Sequence, residues 1–539
     1  MVPPSPPCRT LEAAPQKVDP HGGGDPALGL GLALVVAAIC VAWWTLTDRL
    51  DLPKQMVLVL GSAALAAWAL LARRPLAVTW PAILLIGAPV LGLTVAWSEM
   101  TARVEGWVGW LAAATVFLVA RSAAVAPLAR ALTALSLSLA LVAWLQALGA
   151  PLFNAQLTGF FGRRVVGTLG GPNHLGWTLA LLLPWSGTVL LAWAGLGRAA
   201  ATPRRDGHVL RLVGASLGLV AILGGIVLSG SRVAWVMAGA TLPFWIRPPA
   251  FRWRLLVLPG LAILLAALVS AVVVDRVTRR ARLGSRAADL VSRTGSARGR
   301  LYLWQVHLSS LPRSLCLGAG PEGFVRRWPD QQRRYLDNHP EQARYRSDLR
   351  HAHADVVEVL WDLGIFGVGL GAWLVWLAWR RKPPGDRWRG ASAACLVAAV
   401  IGGLAAPLVF FPPTQALAAI ALGVRLGPPA PASRARIAPV VVALLIATAL
   451  LSVRLVSEVQ RSRATRARGA GNAPEALVRA RQAARTDRRN PRAWLEITLA
   501  CEKLQRWRCA LAACERAHRD LPTDGVAWKL RRLHAKVKR

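Results

Sequence analysis

Apolar stretches long enough to cross a membrane recur along most of this chain, at roughly 27–47, 55–72, 75–97, 103–120, 125–149, 173–195, 209–229, 232–247, 254–274, 352–379, 390–411, 412–427 and 436–457. A helix needs about 20 apolar residues to span the hydrocarbon core. Inside that core every backbone N–H and C=O must find its partner within the segment itself, so repeated runs of this length restrict the chain to a bundle of helices. A hydrophobic content of 54% and a mean hydropathy of +0.41 lie outside the range of a soluble domain. The fold class expected is an all-α polytopic membrane protein with about 12–13 transmembrane helices.

Orientation follows from the Lys and Arg of the short loops. With the N-terminus cytoplasmic, the inside loops hold nineteen, from Arg73 and Arg74 to Arg434 and Arg436, and the outside loops six: Arg49, Lys54, Arg103, Arg163, Arg164 and Arg232. This bias sets the N-terminus inside, and an odd span count then puts the C-terminal tail outside. Residues 1–26 are rich in Pro and Gly and are expected to be disordered. The first apolar stretch is too long for a signal peptide and has no cleavage site after it, and no apolar segment precedes Cys8, which argues against a lipoprotein. The other cysteines are scattered singly, with no CxxC pair or metal spacing. The formal net charge of +38 suits anionic partners such as membrane lipids or phosphate-bearing glycolipids. Nucleic acid is a poor candidate, because the basic loops flank membrane spans.

Two units stand outside the membrane, so the chain divides into a tail at 1–26, a transmembrane domain at 27–458 and a C-terminal unit at 459–539. Within the second, the loop 275–350 carries sixteen Arg against seven acidic residues. It escapes the charge rule because long loops translocate largely regardless of charge, and most of its arginines read simply as a solvated basic face. In the C-terminal unit Trp494 and Trp528 are 34 residues apart, as are Ala476-Leu477 and Ala510-Leu511. That spacing resembles tetratricopeptide repeats, which stack as helical hairpins and present a surface to a protein partner.

Ionisable groups at membrane depth are costly and point to function. Four stretches carry them: "FGRRVVGTLGGPNHLGW" with Arg163, Arg164, Asn173 and His174; "LSGSRVAW" with Arg232; "SARGRLYLWQ" with Arg298 and Arg300, before a Gly-rich turn; and "LRHAHADVVEVLWDLG" with His351, His353, Asp355 and Asp362. In the assigned topology all four lie at the outer face. Read alone, His351-Ala-His353-Ala-Asp355 looks like a zinc motif. The next ligand expected is replaced by Val356, and no second cluster closes the site, so neither metal nor cofactor is expected. A blander reading makes the histidines headgroup-level caps.

From about 160 to 400 the sequence resembles the O-antigen ligase and O-antigen polymerase superfamily of bacterial membrane glycosyltransferases. The resemblance rests on "GTLGGPNHLG", "GSRVAW", "RLYLW", "LGAGPEGF" and the spacing from His353 through Ala354 and nine further residues to Gly364 and on to Gly367. Ala354 departs from the family pattern, which has Asn, Ser or Gln there. The resemblance implies a GT-C-like helical fold with a large helical periplasmic loop in the bacterial inner membrane. It also implies metal-independent transfer of a glycan from a polyisoprenyl-pyrophosphate carrier to an acceptor hydroxyl at the periplasmic face. His353 would be the base; Arg232 and Arg300, with Arg164 and Arg298 in reserve, would hold the pyrophosphate; Asn173, His351, Asp355 and Asp362 would support them. On a helix His351 and Asp355 share a face and would pair. The acceptor could be lipid A-core, a growing glycan or a protein, so ligase, polymerase and protein O-oligosaccharyltransferase stay open. A transporter of the same lipid-linked glycan and a noncatalytic scaffold are the competing classes. The first would need charges at mid-membrane, where the spans are nearly all apolar.

Overall fold

The computed structural model describes residues 24–42, 51–72, 104–150, 152, 164–195, 208–245, 296–310, 315–320, 323–345, 351–381, 386–427, 438–488, 490–520 and 524–538. Among them the protein is α-helical with no strand. In chain order the helices are α1 Pro26–Val41, α2 Asp51–Leu71, α3 Val104–Ser122, α4 Val125–Ala147, α5 Pro172–Trp193, α6 His208–Ser229, α7 Arg232–Trp245, α8 Ser296–Ser309, α9 Gly323–Asn338, α10 Asp355–Arg380, α11 Asp386–Gly403, α12 Pro412–Leu426, α13 Ala438–Gly469, α14 Ala473–Thr486, α15 Pro491–Lys503, α16 Trp507–Asp520 and α17 Asp524–Lys538.

Six described helices (α2, α4, α5, α6, α10 and α13) are long and apolar enough to cross a membrane, and three shorter apolar segments lie in α1, α3 and α11. The protein is thus a polytopic all-α membrane protein. Helices α7 and α12 also fall on expected spans, whereas the spans expected at 75–97 and 254–274, like the N-terminal tail up to residue 23, lie outside the described residues. Helix α5 is the most enclosed of the six and packs against α4, α6, α7 and α11. Gly176 makes that packing possible: a Cβ there would sit 2.5 Å from Ser229 Oγ and 2.9 Å from the side chains of Ser231 and Ala234. The ends of α5, α6 and α7 therefore meet at backbone-contact distance.

The last apolar span does not stop at the membrane. Helix α13 runs 32 residues, apolar in its first half and Arg-rich in its second, without a break. Its second half packs directly against α14, and α14 to α17 then pair in sequence around Leu477, Ala480, Ile497, Ala510, Cys514 and Leu533. The boundary expected at 459 therefore falls inside one helix. Polar contacts lock the junction: Asn490 donates from Nδ2 to Ser457 Oγ at 3.0 Å and to Glu458 Oε1 at 2.9 Å, and Arg461 pairs with Glu458 at 2.7 Å. The reading of the cysteines as scattered singles is corrected at one place, where Cys501 of α15 and Cys509 in α16 form a disulfide across a helical hairpin.

Candidate active site

At the mouth of α10 the expected helix register fails. The helix begins at Asp355, with Ala354 as its N-cap, and His353 lies before it in a left-handed backbone conformation at φ 55°. Few non-glycine residues adopt such a φ, and it persists only where surrounding contacts hold it. With no helix across 351–355, His351 and Asp355 cannot share a face. His351 instead donates from Nδ1 to Glu358 Oε1 at 2.8 Å, and Glu358 Oε2 accepts from the backbone N–H of Ala352 at 2.9 Å. Asp355 points the other way and accepts from the Val409 N–H at 3.1 Å, fastening α10 to the turn between α11 and α12. The three residues of the apparent zinc motif therefore diverge. Glu358 was missed in the sequence because its role depends on where the helix starts.

The spacing from His353 to Gly364 also has a physical reason. Gly364 breaks α10 with φ 68° and ψ −165°, and a Cβ there would meet the backbone carbonyl groups of Leu315 and Cys316. The Gly-rich turn 315–320 docks into this break: Ala319 and Gly320 donate to the carbonyls of Trp361 and Asp362 at 2.7 and 2.8 Å, and Ile365 donates to Leu315 at 2.9 Å. Asp362 does not face the site. Its Oδ1 accepts from Phe324 N at 3.2 Å, capping the first turn of α9.

The same docking positions α8. Trp361 of α10 donates from Nε1 to His307 Nδ1 at 2.7 Å, and the His307 ring lies against Phe324 and Trp328. Burial pushes the His307 pKa down to about 3, so it is a neutral structural histidine. Arg300 stands two helical turns upstream on the same face of α8, and its charge acts on His353 as that of Arg232 acts on it, which puts the three within electrostatic reach of one another. Burial, and then the neighbouring Arg232 charge, lower the pKa of Arg300. Burial, then the charges of Arg300 and His351, lower that of His353 below its ordinary 6.5. The imidazole of His353 is therefore held neutral at physiological pH, with its lone pair available to take a proton.

Arg232 is the first residue of α7. Gly230, with φ 61°, turns the chain, and Ser231 Oγ accepts from Ala234 N at 3.5 Å, so the "GSR" stretch is a helix start that aims an arginine at the site. Arg164 lies alongside, donating to the Ser229 carbonyl at 2.9 Å and to Asn173 Oδ1 at 2.8 Å. These bonds tie the irregular 164–166 segment, the end of α6 and the start of α5 into one wall. His174 stacks on Phe411 at 3.9 Å and so belongs to the packing between α5 and the α12 entry. Arg298 lies in the first turn of α8, but its side chain, like all of Arg163, lies outside the described residues. The structure thus gathers Arg232, Arg300, His351 and His353, sets Arg164 and Asn173 in the adjoining wall, and assigns Asp355 and Asp362 to holding the scaffold.

Residues 217–370, from α6 to just beyond the kink of α10, match the O-antigen ligase family model. The match contains Arg232, Arg300, Glu358 and His353 and stops short of the C-terminal helices. No curated protein matches the chain. Over residues 217–370 the chain is thus similar to the O-antigen ligase family, and the rest of the chain lies outside that match.

Proposed function

We propose that the protein is a membrane glycosyltransferase of the O-antigen ligase or polymerase type, moving a glycan from a polyisoprenyl-pyrophosphate carrier to an acceptor hydroxyl. The observation that carries this reading is the electrostatic proximity of Arg232, Arg300 and His353, supplied by three segments far apart in sequence. Arg300 has no carboxylate partner among the described residues, and its burial next to a second arginine suits a polyanion that both can grip. Guanidinium forks match phosphate oxygens and stay charged under all physiological conditions.

In the reaction, the acceptor oxygen attacks the anomeric carbon of the glycan as the bond from that carbon to the carrier's phosphate oxygen breaks. The electron pair leaves with the lipid pyrophosphate, whose growing charge Arg232 and Arg300 neutralise. His353 takes the acceptor's proton. Glu358 fixes His351 and the turn before α10, which keeps His353 in its left-handed seat. Ligation to lipid A-core, chain extension and transfer to protein share this step and differ only in acceptor.

A second reading of the base has its own support. A histidine whose Nδ1–H is held by a buried carboxylate presents Nε2 as acceptor, and His351 has that partner in Glu358. His353 is preferred because its neutral form is enforced and Arg300 adjoins it. Several features support an extracytoplasmic site in the bacterial inner membrane: the charge bias of the loops, the parity of the spans and the Cys501–Cys509 disulfide in the tail, since disulfides persist in oxidising compartments. By the same parity the tail stands on the site's side of the membrane, where its helical hairpins could receive a protein partner.

Mass spectrometry of surface glycoconjugates from cells with and without the gene tests the reading. One glycoconjugate should disappear and its lipid-linked precursor accumulate. Loss of the glycoconjugate with its precursor trapped on the cytoplasmic face would instead indicate a transporter, and unchanged glycoconjugates would contradict the reading.

A further inference from the structure

Helix α13 leaves the membrane beside a turn of its own C-terminal unit. From Ala438 to Ser457 it carries a single charged side chain, Arg454, and at the rise of an α-helix this stretch spans about 30 Å, the thickness of the hydrocarbon core. Leu445, Ile446, Val453 and Val456 lie exposed along it and so face lipid. Glu458, Arg461 and Arg463 follow, so the hydrocarbon ends near Val456.

Three contacts bring the turn between α14 and α15 to that depth. Ser457 donates from Oγ to the Ala483 carbonyl at 2.9 Å, Arg454 pairs with Asp487, and Asn490 donates to Glu458 Oε1 at 2.9 Å. Helix α14 therefore runs back along α13 toward the bilayer, and its last turn ends level with Arg454. Trp494 closes the turn by donating from Nε1 to the Arg488 carbonyl at 2.8 Å. Arg481 and Arg485 stand one helical turn apart on one face of α14, Arg488 follows in the turn itself, and all three are exposed. None of them pairs with a carboxylate among the described residues, where the neighbouring Asp487 and Glu475 are taken by Arg454 and Arg479. With Ala483 level with Ser457, the three arginines lie within about one helical turn of the hydrocarbon edge, inside the distance over which salt screens a surface charge.

We propose that this basic turn seats the C-terminal unit on the anionic phospholipid headgroups of the leaflet where α13 emerges. Its depth decides the partner. The turn is the bilayer-facing end of the α14–α15 hairpin, so a protein would have to enter between it and the membrane, whereas headgroup phosphates already stand there. Anionic headgroups attract basic segments held close to the surface. Each such arginine strengthens association about fivefold, so three give about a hundredfold. This seating does not depend on the transferase chemistry. It fixes the depth of α13 and leaves the other faces of the hairpins turned to water.

Hydrogen exchange of the full-length protein in nanodiscs tests this, with phosphatidylcholine alone compared with a mixture containing phosphatidylglycerol. The amides of 481–492 should exchange up to about a hundredfold more slowly on the anionic discs, and high salt should remove the difference. Arg481→Gln, Arg485→Gln and Arg488→Gln combined should remove it as well. Gln forms helix about as readily as Arg, and unchanged exchange in α16 would show the unit still folded. Arg488→Gln alone, outside any helix, should remove about fivefold of the protection. Arg485→Lys should keep it, because a lipid surface reads charge and not the geometry of the fork. Equal exchange on both discs, or slowing that survives the triple replacement, would overturn the proposal. So would polyglutamate protecting the turn on neutral discs as fully as phosphatidylglycerol does, which would give the turn to an acidic protein.

Discussion

Replacing Glu358 with Ala should cripple turnover while leaving donor binding intact. Glu358 is 2% exposed, and its carboxylate holds both His351 Nδ1 at 2.8 Å and the Ala352 N–H at 2.9 Å. A hydrogen bond to a charged group contributes about 1.5–3 kcal/mol, and deletion also leaves the Ala352 N–H buried without a partner. A net loss of about 3 kcal/mol corresponds to roughly a hundredfold in the equilibrium between a seated and an unseated turn. Because His353 is held at φ 55° by that turn, unseating it moves the base. In reconstituted vesicles kcat should fall about ten- to a hundredfold, in line with the cost of small misplacements of a reacting group. KM for the lipid-linked donor should stay within about twofold, since Arg232 and Arg300 are untouched. Glu358→Gln retains one acceptor oxygen for Ala352 and should lose less. Insertion should be normal, because removing a buried carboxylate favours a membrane helix. Wild-type kcat in Glu358→Ala, or a raised KM with kcat unchanged, would refute this reasoning.

Three further outcomes are expected. Arg300→Gln removes a positive charge that helps hold the His353 pKa below 6.5. The acidic limb of kcat/KM, which reports loss of the neutral base on protonation, should therefore move to higher pH, apart from any fall in the plateau. Gly364→Ala forces a side chain into a left-handed position against the Leu315 and Cys316 carbonyls and should cost more than about 2 kcal/mol, read as protease sensitivity of the loop beyond residue 310. Arg232→Lys should not restore wild-type donor KM, because a point charge cannot fork onto two phosphate oxygens, and surface plasmon resonance with donor in nanodiscs would measure it.

The membrane helices were legible because a span must be apolar along its whole length, and the described ones fall on the expected windows. The arginines and His353 stood out in the sequence for the converse reason: a charge at the mouth of a span is costly. What escaped depended on register. Pairing His351 with Asp355 assumed that the helix had already begun, and the left-handed turn at His353 hands that partnership to Glu358. The domain boundary at 459 followed a real change of composition, but α13 carries its helix through that change. The Cys501–Cys509 bridge needs the two cysteines brought together by a helical hairpin, and an eight-residue separation gives no hint of it.

The most direct test of the proposed chemistry is release of polyisoprenyl pyrophosphate by purified protein given a lipid-linked glycan and an acceptor, with His353→Asn compared to wild type. Asn tolerates a left-handed backbone, so this change removes the base and spares the turn. Turnover should fall about 10²–10⁴-fold, as for loss of a general base, with donor binding retained and His351→Ala less impaired. Near-wild-type release by His353→Asn, with His351→Ala inactive, would contradict the assignment and move the base to the histidine held by Glu358.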